Sequence, residues 1–320
     1  MRILVTGASG CVGHYVSETL IQNTDHELFL FVRNPAKLTV DITARPGIHV
    51  ITADMMEIEQ QAELLKTINV AVLTAAGWGG QEAFDINYTK THILFDLLDP
   101  QVCEQVIYFS TASLLDRNGK LLAEAGKIGT DYIMSKHQCL DKITQAATKS
   151  DRSNNIASKI TTVFPTLVLG GDETKPYSFL SADLPSVTKY VGLLRFFTAD
   201  MSFNFIHAQD IAEVIRHLIA HPEIADKFNR RIVLGNQVIS GDAGIKEICG
   251  YFGKKSLFQI NLSNTIANFF IKVFKIQMAE WDRFCLNYRH LSHANAVSPA
   301  TFGLVTYAPT ITEIFRTRGL

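Results

Sequence analysis

Short apolar runs alternate with amphipathic segments through the first third of the chain. The apolar runs are rich in Val, Ile, Leu and Phe and predict strands, and the segments between them carry apolar residues at helical spacing. Apolar strands joined by helices indicate a parallel sheet covered on both faces, because each crossover must return the chain to the starting edge. The pattern therefore predicts a doubly wound α/β fold. The predicted strands are Arg2–Thr6, Glu27–Val32, Ile48–Thr52, Val70–Ala75 and Gln105–Ser110, and the predicted helices are Gly13–Gln22, Glu59–Ile68 and Phe84–Leu98.

The alternation weakens at about residue 170. From Gly171 to Met201 the chain carries Pro176 and Pro185 and shows little periodicity, so no element is predicted there. The other predicted elements are helices at Gly129–Ala147, Ile206–Ile219, Asp242–Phe252 and Asn264–Arg283, and strands at Ile160–Leu169 and Arg231–Leu234.

This change in pattern predicts two domains. A chain of 320 residues is long enough for one large or two modest domains and for a core of its own. We interpret residues 1–170, with residues 204–236 returning to them, as a nucleotide-binding domain. Residues 171–203 and 237–320 are interpreted as a smaller domain that covers it and binds the substrate.

Composition and charge narrow the range of partners. With 47% hydrophobic and 19% charged residues, the chain is typical of a folded globular protein. Its formal net charge of -1 offers no broad field for nucleic acid or an anionic membrane. No apolar stretch is long enough to span a membrane, and the apolar start of the chain is too short for a signal peptide.

The five cysteines are odd in number and well separated. They form neither a CxxC pair nor a Cys/His cluster, so neither a disulfide framework nor a metal site is expected. This usage predicts a reducing, cytoplasmic compartment. The cysteines are Cys11, Cys103, Cys139, Cys249 and Cys285.

A glycine-rich turn with the spacing GxxGxxG joins the first predicted strand to the first predicted helix. Glycines let the backbone turn tightly and approach a pyrophosphate, whose charge is met by N–H groups at the helix N-terminus. The turn therefore predicts dinucleotide binding, with a merely tight strand-to-helix turn as the alternative. Cofactor contacts are expected from Gly7, Ser9, Gly10, Cys11, Val12 and Gly13.

The end of the second predicted strand bears on the choice of cofactor. An acidic residue there would accept hydrogen bonds from the ribose 2′-OH of NAD, but Arg33 stands at this position. Arg33 could instead pair with the 2′-phosphate of NADP, with Lys37 nearby. This favours NADP, and NAD is the alternative if Arg33 is an ordinary surface arginine. Asp54 is a candidate for the adenine amino group, or else a simple helix N-cap.

A second cluster combines hydroxyl groups after the fifth strand with a tyrosine and a lysine on the next helix. Residues four apart lie on one helical face, so the Lys136 ammonium can sit beside the Tyr132 phenol and favour its ionised form. Tyr132 could then act as a general acid or base. Thr111, or its neighbours Ser110 and Ser113, could hold the substrate oxygen.

The YxxxK spacing on its own has little specificity, since the chain contains it twice. Tyr251 and Lys255 also match, but they follow no strand tipped with Ser or Thr, and Gly253 lies between them near a predicted helix end. We interpret that copy as coincidence. The alternative for Tyr132 is an ordinary tyrosine on an amphipathic helix.

In their order along the chain, the glycine-rich turn, Thr111 and the Tyr132/Lys136 pair resemble the extended short-chain dehydrogenases/reductases, the NAD-dependent epimerase/dehydratase family. The resemblance spans nearly the whole chain. It implies a Rossmann-type domain with a smaller C-terminal substrate-binding domain, and a bound nicotinamide cofactor. The other matching segments are Asp54, Leu73–Ala76, Asn87, Phe164–Thr166 with Gly170 and Gly171, and Phe205–Asp210.

The resemblance also implies roles for single residues. Thr111 would orient the substrate oxygen, Tyr132 would exchange its proton, and Lys136 would lower the pKa of Tyr132 and hold the nicotinamide ribose. Further cofactor contacts are implied for Ala75, Asn87 and Pro165, with a backbone tie or helix cap as the alternative for Asn87. In relatives, the helices predicted around Asn87–Leu98 and Tyr132–Ala147 pair two subunits, so a homodimer is expected.

Three functions fit this pattern. The first is an NADP-dependent oxidoreductase that acts on a ketone, an aldehyde or an alcohol. The second is a nucleotide-sugar epimerase or dehydratase that retains NAD, and the third is a non-catalytic NADP-binding sensor. Many nucleotide-sugar members have a basic residue just before the Phe-Ile-His segment, where this chain has Met201–Asn204, which favours the first function. The predicted lid could suit an apolar or aromatic carbonyl compound, unless these residues form its core: Tyr177, Phe179, Leu193, Leu194, Phe196 and Phe197.

Overall fold

A computed structural model describes residues 1–149, 155–255, 259–263, 272 and 277–320. The strands are β1 (Arg2–Thr6), β2 (Glu27–Val32), β3 (Ile48–Thr52), β4 (Val70–Leu73), β5 (Gln105–Phe109), β6 (Ile160–Pro165), β7 (Leu167–Leu169), β8 (Phe197–Thr198), β9 (Ser202–Phe203), β10 (Phe205–His207), β11 (Arg231–Leu234), β12 (Ile239–Ser240), β13 (Ile260–Asn261) and β14 (His290–Leu291). The α-helices are α1 (Cys11–Asn23), α2 (Ala62–Leu65), α3 (Gly80–Phe84), α4 (Thr91–Leu97), α5 (Ala125–Ile128), α6 (Asp131–Lys149), α7 (Phe179–Leu194), α8 (Ala208–Ala220), α9 (Ile224–Lys227), α10 (Gly241–Tyr251), α11 (Glu280–Tyr288) and α12 (Ile311–Thr317).

A seven-stranded parallel sheet lies at the centre, in the order β11-β6-β5-β4-β1-β2-β3. The chain builds outward from β1 to β3 in one direction and from β4 to β6 in the other. The carboxyl ends of β1 and β4 therefore flank a crevice, the usual ligand site of such sheets. This arrangement confirms the predicted doubly wound α/β fold of Rossmann type.

Helices cover both faces of the sheet. Ile3 and Val5 of β1 face one layer, which α1 and α8 form, whereas Leu4 between them faces the layer that contains α4 and α6. All three side chains are fully buried, and each such burial contributes about 1.5–3 kcal/mol. The central strands are mostly apolar because both of their faces are covered, whereas the edge strand β3 carries the exposed residues His49 and Thr52.

The C-terminal part of the chain folds back onto the sheet layers. The carboxylate of Asp210, on α8, accepts hydrogen bonds from the backbone N–H groups of Tyr307 at 2.6 Å and Ala308 at 3.2 Å. Three small sheets, β10-β7, β12-β9-β14 and β13-β8, lie outside the central one. The predicted division into two domains stays a prediction. Among the described residues, no helix has both the length and the apolar character needed to cross a membrane.

Several predicted elements differ from the observed ones. The predicted helix Phe84–Leu98 is present but begins earlier, at Gly80, and contains a π-helical stretch Asp85–Lys90 between α3 and α4. Helix α7 lies where no element was predicted, since Pro185 and the weak periodicity concealed it. Of the predicted helix Asn264–Arg283, residues 264–271 and 273–276 lie outside the described residues, and the helix described there is α11.

Two boundaries also shift. The predicted strand Ile160–Leu169 divides at Thr166 into β6 and β7, which pair with different strands. The predicted helix Ile206–Ile219 begins only at Ala208, because Phe205–His207 forms β10 and the ring of His207 accepts a hydrogen bond from the N–H of Gln209. In both cases a strand pairing, which local periodicity does not report, sets the boundary.

Candidate active site

The glycine-rich turn sits between β1 and α1 with no room for side chains at two positions. Gly7 has φ of +68°, and a Cβ atom on it would lie 2.7 Å from the backbone nitrogen of Ala75. A Cβ atom on Gly13 would overlap the carbonyl oxygen of Gly7 and lie 2.7 Å from Thr74 Oγ1. The turn therefore brings the start of α1 close against the ends of β1 and β4, as dinucleotide binding requires.

The N-terminus of α1 is open toward this crevice. Gly10 is its N-cap residue and supplies no side-chain hydrogen bond to the first turn. A Cβ atom on Gly10 would approach only the carbonyl oxygen of Gly7, at 3.3 Å. The uncapped N–H groups of the first turn, from Cys11 and Val12 onward, are the donors that bind a pyrophosphate, so these residues fit a dinucleotide.

Cys11, in this turn, is a thiol in a partly buried position. Burial raises the pKa of its thiol to about 12, and a hydrogen bond with the backbone of Ser178 opposes this rise. All five cysteines are free, and burial raises the pKa of each of them. Among the described residues, no group of three or more His, Cys, Asp or Glu side chains could hold a metal ion.

Arg33 follows β2 and is paired with acidic side chains. Its side chain is 69% exposed, and its Nη1 atom lies 3.2 Å from Glu82 Oε1 and 3.9 Å from Asp54 Oδ2. Asp54 also accepts a hydrogen bond from the N–H of Met56 at 2.9 Å, so it caps the 3₁₀-helix Met55–Gln61. Glu82, on α3, was not singled out from the sequence, since its meeting with Arg33 depends on the course of the chain after β4.

Thr111 and Tyr132 meet at the carboxyl end of β5. The hydroxyl of Thr111 interacts with the phenol of Tyr132, and Thr111 Oγ1 accepts a hydrogen bond from the N–H of Ser113 at 3.2 Å. Burial raises the pKa of Tyr132 to about 12, and the nearby hydroxyl of Thr111 opposes the rise. The hydroxyl of Ser110 is buried and has no hydrogen-bond partner among the described residues. Of the three predicted hydroxyl groups, Thr111 is the one that contacts Tyr132.

Lys136 lies one turn further along α6 and is almost completely buried, with 2% exposure. Its Nζ atom donates a hydrogen bond to the carbonyl oxygen of Phe109 at 2.8 Å and lies 4.8 Å from the centre of the Tyr108 ring. Burial lowers the pKa of Lys136 to about 8. In this structure the group that lowers the pKa of Tyr132 is Thr111, so the effect expected of Lys136 stays a prediction.

Asn87 ties the loop after β4 to the helices. Its side chain is fully buried: Oδ1 accepts from the N–H of Gly77 at 3.0 Å, and Nδ2 donates to the carbonyl oxygen of Gly77 at 2.8 Å and to Ser135 Oγ at 3.0 Å. The N–H of Gly80 donates to Asp131 Oδ2 at 2.8 Å. Asn87 therefore makes the backbone tie that the sequence left open as an alternative.

Trp78, between these two tied glycines, stacks on Tyr132. The ring centroids are 4.7 Å apart and the planes are inclined by 18°, while the residue is 69% exposed. Sequence reasoning missed Trp78, because an aromatic residue in a glycine-rich loop belongs to none of the motifs. The only available signal was its place after a strand of the parallel sheet.

The predicted site residues gather along one edge of the sheet. Ala75 packs against Gly7 and donates its N–H to Thr6 Oγ1 at 3.4 Å, and Pro165 ends β6 opposite Leu234 of β11. Successive strands thus deliver candidate residues to their carboxyl ends: Gly7, Arg33, Asp54, Ala75, Thr111 and Pro165.

The stretch Met201–Asn204 contains no charged side chain that could bind a ligand. Asn204 is 1% exposed, and its amide donates to the carbonyl oxygens of Asn236 and His293 and accepts from the N–H of His293. Ser202 Oγ is hydrogen-bonded with His290 Nδ1. Phe203 packs against an apolar cluster formed by Phe205, Ala308, Ile311, Ile314 and Phe315. Two of the predicted lid residues, Phe179 and Leu193, are 78% and 55% exposed and so are not core residues.

Comparison with known proteins identifies a family whose model matches the chain and solved structures with a similar fold. The model of the NAD dependent epimerase/dehydratase family matches residues 3–235. A search of curated proteins found no match. The chain is 13% identical to DesIV, a dTDP-glucose 4,6-dehydratase from Streptomyces venezuelae solved with NAD, over 99% of this chain and 97% of that one, with a TM-score of 0.63.

Two further solved structures resemble the chain at similar levels. A UDP-glucuronic acid 4-epimerase from Bacillus cereus, also solved with NAD, is 15% identical over 98% of this chain and 96% of that one, with a TM-score of 0.59. The protein gox2253 is 17% identical over 99% of this chain and 98% of that one, with a TM-score of 0.64. At these identities the likeness shows the shared fold.

Proposed function

The chain belongs to the NAD dependent epimerase/dehydratase family, whose members are enzymes, and we propose that it is a dehydrogenase/reductase that acts on a carbonyl or alcohol substrate. The observation that carries this proposal is the interaction between the side chains of Thr111 and Tyr132, with Lys136 buried one turn away on the same helix as Tyr132. A hydroxyl pair of this kind can bind one substrate oxygen and exchange a proton with it.

The glycine-rich turn and the open N-terminus of α1 support a nicotinamide dinucleotide as cofactor. When bound, the nicotinamide ring supplies or accepts the hydride. The exposed side chain of Arg33 supports NADP over NAD, since it can pair with a 2′-phosphate. The proposed cofactor contacts are Gly7, Ser9, Gly10, Cys11, Val12, Gly13, Arg33, Asp54, Ala75, Asn87, Lys136 and Pro165.

Three side chains would perform the proton transfer. Because the pKa of Tyr132 is about 12, its phenol carries a proton at neutral pH and can give it to a carbonyl oxygen during reduction. Thr111 would hold the same oxygen through its hydroxyl group. Lys136, with a pKa of about 8, is mostly protonated at neutral pH and would place a positive charge beside the cofactor ribose.

The proposal extends to the organisation of the molecule. Residues 171–203 and 237–320 would form the smaller domain that covers the substrate, in a reducing, cytoplasmic setting. Helices α4 and α6 would pair two subunits into a homodimer. The small sheets outside the central sheet support the smaller domain, and the amphipathic character of α6 supports the homodimer.

Binding and turnover test the proposal together. Purified protein is checked by absorbance and mass spectrometry for retained cofactor, titrated calorimetrically with NADPH and NADH, and assayed with a panel of aldehydes and ketones. We expect an empty site, tighter binding of NADPH, and turnover that is lost in Tyr132→Phe while NADPH binding is kept. Tyr251→Phe is the matched control, since Tyr251 belongs to the second YxxxK match and its hydroxyl donates to the carbonyl oxygen of Leu320 at 2.7 Å.

Two other results would point elsewhere. NAD retained through purification would favour an epimerase or dehydratase, in keeping with the sugar-nucleotide enzymes that share this fold. A wild-type protein that binds NADPH but turns over no carbonyl compound would favour a non-catalytic sensor. Either result would contradict the reductase function.

A further inference from the structure

The apolar indole ring of Trp78 is exposed to solvent beside Tyr132, the candidate catalytic tyrosine. It is 69% exposed, and its one described ring contact is the stack on Tyr132, with 4.7 Å between centroids. At this separation the rings are offset, so part of the indole extends beyond the phenol. A large apolar surface next to reactive groups suits contact with a ligand better than contact with water.

The backbone holds Trp78 in this position without a ligand. The neighbouring Gly77 is bonded through both its N–H and its carbonyl oxygen to Asn87, and Gly80 is bonded to Asp131, the residue next to Tyr132. A Cβ atom on Gly77 would lie 2.7 Å from the carbonyl oxygen of Glu82, so the loop also fits closely against α3. Such a pre-formed wall strengthens binding, because the loop loses little conformational entropy when a ligand binds.

Besides the hydroxyl of Thr111, Tyr132 contacts apolar side chains. Tyr132 packs against a buried cluster of aliphatic and aromatic residues. In Met201–Asn204, where many nucleotide-sugar members have a basic residue, the polar side chains of Ser202 and Asn204 form hydrogen bonds within the protein. A sugar needs polar partners for its hydroxyl groups, whereas an aromatic ring does not. The buried members of this cluster are Ala112, Leu114, Leu115, Leu122, Ala125, Ile133, Leu140, Phe164 and Trp281.

We propose that Trp78 is one wall of the substrate site and that the substrate is an aldehyde, ketone or alcohol with an aromatic ring next to the reacting carbon. This inference rests on the proposed reductase function and adds the substrate class. With the substrate oxygen at Thr111 and Tyr132, a ring on the adjacent carbon lies within reach of the indole, where two aromatic rings attract each other beyond their area of contact.

Steady-state kinetics with saturating NADPH test this wall. The substrates are benzaldehyde and cyclohexanecarbaldehyde, which are close in size but differ in the planarity of the ring. We expect the wild type to prefer benzaldehyde, and Trp78→Ala to raise its KM about five- to tenfold with a smaller change in kcat. The KM for cyclohexanecarbaldehyde should rise about twofold, because it loses contact area and no ring stacking.

Two variants serve as controls for these kinetics. Trp78→Phe keeps an aromatic face and should restore most of the affinity for benzaldehyde. Ile42→Ala removes another exposed apolar side chain, 43% exposed and between β2 and β3, and should leave both KM values unchanged.

Fluorescence gives a second readout that needs no turnover. The chain has two tryptophans, and Trp281 is buried at 6% exposure, so Trp281→Phe leaves Trp78 as the only emitter. With NADP⁺ bound, benzaldehyde should quench this emission by stacking, whereas cyclohexanecarbaldehyde should not. No quenching by benzaldehyde, or equal losses for both aldehydes in Trp78→Ala, would overturn the inference and leave the reductase function standing. A wild type that binds NADPH but reduces neither these aldehydes nor any other carbonyl compound would overturn both.

Discussion

At the end of β2, one arginine stands between two carboxylates. Arg33 Nη1 is 3.2 Å from Glu82 Oε1 and 3.9 Å from Asp54 Oδ2. A 2′-phosphate that bonds to Arg33 must displace Glu82 and would then carry its own negative charge beside both acids. The proposed preference for NADP is therefore a balance between the attraction of Arg33 and the repulsion of its two neighbours.

This balance predicts the effect of neutralising Glu82. Glu82→Gln should lower the dissociation constant of NADPH about threefold and leave that of NADH nearly unchanged, since only NADPH carries the additional phosphate. Calorimetric titration at low ionic strength measures both constants, and the difference should shrink in 0.5 M salt, where about 4 Å of screening length remains. Glu63→Gln, on α2 and paired with Lys66, is the matched control. Equal changes for the two cofactors would contradict the prediction.

Single residues were predictable from the sequence where a strand end placed them. Arg33, Asp54 and Thr111 each follow an apolar strand, and parallel strands bring their carboxyl ends to one edge of the sheet. Glu82 and Trp78 could not be found in this way. Both lie in the segment after β4, and what they touch depends on how that segment is bonded to α6.

At the scale of elements, the segment Asp85–Lys90 departs from regular helix. It adopts π-helical geometry between α3 and α4, and such geometry often occurs at functional sites. Asn87 lies in this segment and bonds both backbone groups of Gly77. The π-helical segment thus contains Asn87, the residue whose hydrogen bonds to Gly77 hold the loop that carries Trp78.

Asn87→Ala should therefore destabilise the fold. Two buried backbone groups of Gly77 and the hydroxyl of Ser135 would lose their partner, at a cost of about 2–3 kcal/mol in the free energy of unfolding. Unfolding in urea, followed by circular dichroism, measures this loss. Asn87→Asp keeps an oxygen for the N–H of Gly77 but places a buried carboxylate against the carbonyl oxygen of Gly77, so it should lose at least as much stability as Asn87→Ala. An unchanged urea midpoint in Asn87→Ala would show that water replaces the amide without cost.

Periodicity predicted the strands of the central sheet better than the elements that follow it. All six strands before residue 166 were placed to within a few residues, because burial in the sheet makes most of their positions apolar. Helix α7 was missed since its pattern is interrupted by Pro185 and part of its apolar surface, such as Tyr190, is exposed. Contacts across the molecule, rather than local pattern, define such a helix.

At the scale of the whole molecule, Asp210 connects the C-terminal segment to the sheet layer. Its fully buried carboxylate accepts two backbone hydrogen bonds, from Tyr307 and Ala308. Burial raises the pKa of Asp210 to about 6, and the two hydrogen bonds oppose the rise. The unfolded chain, with a pKa of about 3.9 for aspartate, releases this proton at lower pH.

Stability should depend on pH through this residue. Because the pKa is higher in the folded state, the contribution of Asp210 is fully present below about pH 4 and is lost as the pH rises through about 6. The free energy of unfolding of the wild type should thus fall by about 2 kcal/mol more than that of Asp210→Asn between pH 4 and 7. Urea unfolding across this range measures both slopes. Parallel curves would mean that Asp210 titrates at its ordinary pKa.

The buried thiols affect how the protein can be labelled. Burial raises the pKa of Cys103, Cys139 and Cys285 to about 11, so at pH 8 about one in a thousand of these groups is ionised, against about a quarter of ordinary exposed cysteines. Maleimides react with the ionised form. A cysteine introduced at an open position such as Val305, 89% exposed, should accept a fluorophore ahead of the five native ones. Single-molecule distance measurements could then begin from the native sequence, without prior replacement of its cysteines.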